Sequence, residues 1–62
     1  MEYAVRIIYK DGRTEERSCR SMIYAKREAD LARSDRKAQP EKIEILRTAE
    51  NGAEEILETF RI

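Results

Sequence analysis

Residues 3–19 read Tyr3-Ala-Val-Arg-Ile-Ile-Tyr-Lys-Asp-Gly-Arg-Thr-Glu-Glu-Arg-Ser-Cys19. Aromatic and β-branched residues crowd the first half, which favours a strand. Tyr3, Val5, Ile7 and Tyr9 share one face of it, and Ala4, Arg6, Ile8 and Lys10 share the other. Asp11-Gly12 tolerates the positive φ of a tight hairpin turn. The returning segment, Arg13 to Cys19, is almost wholly polar and suits a sheet edge, where charge deters stray pairing.

A second hairpin closes the chain. Glu41 to Glu50 alternates again, with Ile43 and Ile45 on one side and Leu46 on the other. Asn51-Gly52 repeats the turn signal. Ala53 to Ile62 returns, with Ile56, Phe60 and Ile62 on one face and Leu57, Thr59 and Arg61 on the other. A two-residue Asn51-Gly52 loop sets Ile43 opposite Phe60 and Leu46 opposite Leu57.

Between the hairpins lies a helical pattern. The Ser21 hydroxyl can accept from a free amide of the first turn, so Ser21 caps a helix starting at Met22. Pro40 disfavours helical backbone at Gln39, and the helix is expected within residues 21–37. Met22, Ala25, Ala29 and Ala32 form a narrow stripe flanked by Tyr24 and Leu31. Small side chains of this kind let a helix lie close to a sheet.

The expected fold is therefore α+β. It is a ββαββ chain with a four-stranded antiparallel sheet in the order 2-1-3-4 and one helix packed on one face. It forms a single small domain over residues 1–62, made of hairpin 3–19, helix 21–37 and hairpin 41–62. This order centres the two most apolar strands and leaves the charged second strand at an edge. The covered face is expected to hold Tyr3, Val5, Ile7, Ile43, Ile45, Ile56 and Phe60 against Met22, Ala25, Ala29, Leu31 and Ala32. The open face is expected to hold Ala4, Arg6, Ile8, Lys10, Arg13, Glu15, Arg17, Lys42, Glu44, Leu46, Leu57 and Arg61.

Composition narrows the function classes. The chain has 62 residues, with thirteen basic and thirteen acidic side chains, no His, no Trp and one Cys. Zero net charge excludes a polybasic tail and an acidic nucleic-acid mimic. One Cys excludes a disulfide framework, and the absence of His leaves a zinc site without its usual ligands. No apolar run reaches the roughly 20 residues of a membrane span. A reducing cytoplasm is the expected compartment, without membrane, metal or cofactor.

Catalysis is not expected, and no catalytic residue is assigned. Cys19 has no His to activate it, although Arg17 and Arg20 are near it in sequence. The pairs Glu15-Glu16 and Glu54-Glu55 are successive strand residues, so each pair points to opposite faces and makes no clamp. Both glycines belong to turns, so there is no phosphate-cradling loop.

Two binding readings remain. The first is a non-enzymatic protein-interaction module that joins a second copy or another protein. It uses the open face around Ile8, Leu46 and Leu57, or the last strand's edge with Thr59 and Arg61. A domain this short buries only about 60% of its unfolded surface, so self-association adds needed burial. The alternative is a nucleic-acid-binding domain whose basic open face contacts phosphates through Arg6, Arg13, Arg17 and Lys42.

Overall fold

The computed structural model describes residues 2–62. Met1, the first residue of the expected domain, lies outside them. The elements are β1 (Glu2–Tyr9), β2 (Thr14–Cys19), α1 (Met22–Ser34), a 3-10 turn (Arg36–Ala38), β3 (Pro40–Thr48) and β4 (Glu54–Arg61). The four strands form one antiparallel sheet in the order β2-β1-β3-β4, as the alternation predicts.

Ser21 caps α1, and its Oγ accepts from the Tyr24 N–H at 3.4 Å. The α-helix ends at Ser34, short of the expected limit at residue 37, and the chain continues into the 3-10 turn. Gln39 adopts a left-handed φ of 55° there, and Pro40 opens β3.

The core forms between α1 and the central strands. Val5, Ile7, Ile43 and Ile45 are buried beneath Ala25, Ala29 and Ala32, and Tyr9 joins them. Val5 faces Ile45 and Ile7 faces Ile43 across the β1–β3 ladder. The helix contributes small side chains, so it sits near the sheet. Leu31 does not join this layer: it is 59% exposed, and Tyr24 is exposed as well. The alanine stripe occupies the sheet-facing side, which rotates Leu31 outward.

Both hairpin loops are one residue longer than the two-residue turn that their Asp-Gly and Asn-Gly signals predict. In the first, the Gly12 N–H donates to the Tyr9 carbonyl at 3.0 Å, and the Tyr9 N–H donates to the Arg13 carbonyl at 2.9 Å. In the second, Gly52 donates to Ala49 at 2.9 Å, and Ala49 donates to Ala53 at 2.9 Å. Gly12 and Gly52 take φ of 93° and 85°, as the last position of a three-residue loop requires. Asp11 and Asn51 complete the match, since each side chain accepts from the N–H two residues on at 3.0 Å.

The extra residue changes register, and a slip of one residue moves a strand's side chains to the other face. In β2, Glu16 pairs with Arg6, Glu15 with Ile7 and Arg17 with Val5. Glu15 and Arg17 therefore stand on the helix side, not on the open face, and Arg13 goes with them beside Tyr9. Lys10 belongs to the loop. In β4, Ile56 pairs with Leu46, but a bulge at Leu57 shifts the register so that Glu58 pairs with Ile45 and Phe60 with Ile43. Phe60 thus keeps its expected partner. Leu57 packs on the core and Ile56 faces out, the reverse of the expected placement. The bulge lets Leu57 and Phe60, three residues apart, face the helix together.

Candidate interaction surfaces

The open face is built from rows that follow the strand registers. One row runs Ser18, Ala4, Leu46, Ile56. The next runs Glu16, Arg6, Glu44, Thr59, and the third runs Thr14, Ile8, Lys42, Arg61. The expected apolar cluster of Ile8, Leu46 and Leu57 does not assemble. Leu57 lies on the far side of the sheet, and the charged row separates Ile8 from Leu46. Leu46 is on the open face but only 1% exposed, so it offers a partner almost nothing.

Arg6 is the hub of this face. Its guanidinium donates to Glu16 at 3.1 Å, Glu44 at 3.4 Å and Glu54 at 3.3 Å, reaching carboxylates from three other strands. Lys42 adds a second cation 3.6 Å from the buried Glu44. The Glu16 bond, first among several contacts, pushes the Arg6 guanidinium above its already high value. A flat partner docked here would strip water from this network, and desolvating paired charges offsets much of what contact adds.

The helix side carries a second network. The Tyr9 hydroxyl donates to Glu15 at 2.9 Å. Arg17 donates to Glu15 at 2.8 Å and to Glu28 of α1 at 3.1 Å, tying the edge strand to the helix. Arg13 donates to Asp11 at 2.6 Å and stacks over the Tyr9 ring. Hydrogen bonds from Arg17 and then Tyr9 hold the Glu15 carboxyl below its ordinary value near 4.5. Asp11 is lowered in the same way, by the Arg13 backbone and then its side chain. A carboxyl lowered on folding stabilises the fold above its unfolded value, and that contribution is lost as pH falls through the folded value. Thermal stability is therefore expected to drop as pH falls below 4.5, and Glu15→Gln should make the drop shallower in a pH series of melting curves. An unchanged acid limb in E15Q would show that the Glu15 contacts carry no linkage.

All four cations expected to meet phosphates are thus engaged with carboxylates: Arg6, Arg13, Arg17 and Lys42. They also divide between the two sides of the sheet, so they form no common basic face. The adjacent acids separate as strand geometry demands. Glu16 meets Arg6 while Glu15 meets Tyr9 and Arg17, and Glu54 meets Arg6 while Glu55 meets Arg47. Burial, the largest effect, pushes the Cys19 thiol up from its ordinary value despite Arg17 nearby. A thiol held protonated is a weak nucleophile.

The sheet edges differ. β2 is charged, with Glu15, Glu16 and Arg17 along it. β4 is paired on one side only, and Ile56 and Ile62 beside it are 54% and 57% exposed. The Ile62 N–H donates to the Glu41 carbonyl at 3.1 Å, so the pairing continues to the last residue. Strand alternation then directs the backbone groups of Phe60 and Ile62 toward β3 and those of Thr59 and Arg61 outward. Thr59 and Arg61, expected at a contact, do sit on this edge. No helix among the described residues is long and apolar enough to cross a membrane. Comparison of the chain with protein-family models, curated proteins and solved structures finds no match.

Proposed function

We propose that the chain is a small non-enzymatic interaction module of the cytoplasm that pairs with a second copy of itself through the free edge of β4. The observation that supports this reading is the contrast between the edges: one charged, the other regularly paired to β3 from Glu58 onward and flanked by exposed isoleucines. An antiparallel pairing centred on Phe60 lets Thr59 of each copy exchange both backbone bonds with Arg61 of the other. The bulge at Leu57 limits the usable edge to the segment that follows it. A core whose helical wall is mostly alanine gains proportionally more from such an extension than a larger domain does.

Thr59→Pro removes one outward N–H, and proline is tolerated on an edge strand where that group faces solvent. The wild-type chain is expected to sediment as a dimer at high concentration, and T59P as a monomer with an unchanged far-UV circular dichroism spectrum. A monomeric wild type ends the reading. A T59P dimer places the contact elsewhere.

A further inference from the structure

The outer face of α1 is a surface that the edge pairing leaves unused. Three of the five exposed large hydrophobic residues among the described ones lie on this helix: Ile23 is 80% exposed, Leu31 59% and Tyr24 42%. Ile23, Arg27 and Leu31 are spaced four residues apart, so they stack along one ridge of the helix. Among the described residues, the exposed Arg27 and its neighbour Lys26 form no ion pair. The acids of the helix are turned to other partners: Glu28 meets Arg17 of β2 at 3.1 Å, and Asp30 meets Arg33 at 3.8 Å. Charge is also unevenly divided along the chain. Residues 20–37 hold six basic and three acidic side chains, whereas the rest holds seven basic and ten acidic. The helical segment is thus the positive part of a molecule without net charge. Single exposed aliphatics are ordinary on a protein surface. Two of them at helical spacing, with an unpaired cation midway between, form a pattern that another helix can read.

We propose that this ridge docks an acidic amphipathic helix of another protein, one that carries a carboxylate with an aliphatic residue four positions to either side. The carboxylate meets Arg27, and the two aliphatics pack on Ile23 and Leu31. Rows at four-residue spacing interdigitate when two helices cross at about 50°. Apolar anchors about one turn apart are the usual way in which one helix is read by another surface. The guanidinium supplies a charge-assisted, bidentate contact that fixes the register. Two other occupants fit the ridge less well. A second copy laid antiparallel sets Ile23 against Leu31 of the other copy, but it brings the two Arg27 side chains together, and like charges opposed across an interface repel. An anionic lipid surface suits a helix whose apolar face is separate from its charged face. Here Arg27 stands between the aliphatics, and the exposed Asp30 adjoins them.

The probe is an alanine-based peptide of about 15 residues, long enough to be partly helical, with one Glu flanked by a Leu four positions to either side. The pattern is symmetric about its Glu, so the peptide can dock in either direction. It is titrated into the full chain at about 10 mM ionic strength, where screening extends over about 30 Å. Saturable amide shifts are expected at Ile23, Arg27 and Leu31. Arg27→Ala should weaken binding roughly fivefold to tenfold, as loss of a charge-assisted hydrogen bond does. Leu31→Ala should weaken it roughly tenfold through lost apolar burial. Arg36→Ala removes the same charge from beyond the helix end and should leave binding unchanged. Arg27→Glu should abolish binding of this peptide and restore it for the peptide whose Glu is replaced by Lys. The T59P variant should bind as the wild type does, so failure of the edge pairing and failure of this contact are read separately. Absence of saturable shifts overturns the proposal, as does equal weakening by R36A, which would mark a net-charge effect. Shifts on the ridge that grow with protein concentration alone also overturn it, because they place a second copy there. Tighter binding to phosphatidylserine vesicles than to the peptide does the same in favour of a lipid surface.

Discussion

Ile45→Ala is expected to lower the unfolding free energy by about 3 kcal/mol, within the roughly 2–5 kcal/mol typical of such truncations. Ile45 is fully buried, lies on a central strand and faces Val5 across the ladder. The layer above it is the alanine wall of α1. Alanines have no side-chain torsion with which to fill a void, so the cavity stays open unless the helix itself moves. At about 0.05–0.15 kcal/mol per residue, a chain of 62 residues has about 3–9 kcal/mol in all, so this loss is a third of the total or more. Urea unfolding followed by circular dichroism should show a midpoint lowered by about a third or more at an unchanged slope. Leu31→Ala, at an outward position, should change stability by less than about 0.5 kcal/mol. An I45A loss below about 1 kcal/mol, well under the usual cavity cost, would mean that the alanine wall collapses readily onto the sheet.

Leu57→Asp and Ile56→Asp are expected to differ sharply although they change neighbouring residues. Leu57 packs on the core from the bulge, whereas Ile56 is more than half exposed on the other face. L57D places a carboxylate among apolar groups next to Glu58 and should cost on the order of 2 kcal/mol. I56D should cost less than about 0.5 kcal/mol, as surface changes usually do. Denaturant midpoints of the two variants read the result directly. The opposite ranking would restore the continuous two-residue-loop register and remove the bulge from the account.

Much of the architecture is legible in residue order. The alternation of Tyr3, Val5, Ile7 and Tyr9 names the buried side of β1, and that of Ile43 and Ile45 names the buried side of β3. Ser21 announces the start of the helix, and the charge of β2 places it at an edge. Less of the candidate surface is legible. Counting Arg6, Arg13, Arg17 and Lys42 as a basic face treats each charge as free, whereas Arg6 alone meets three carboxylates that are distant in sequence. A tally of charges carries no information about partners brought together by folding.

From residue types alone come the strands, the helix, the turn sites and the strand order, because these depend on local backbone preference and on which side chains avoid water. Tertiary structure decided which way β2 and half of β4 present their side chains. Asp-Gly and Asn-Gly satisfy a two-residue loop and a three-residue loop equally well, so the dipeptide does not set the register. The choice follows from contacts across the molecule: Arg17 reaching Glu28, Glu16 reaching Arg6, and Leu57 with Phe60 reaching the core. A one-residue slip changes little in the local backbone and reverses every face, so only partners distant in the chain can select it.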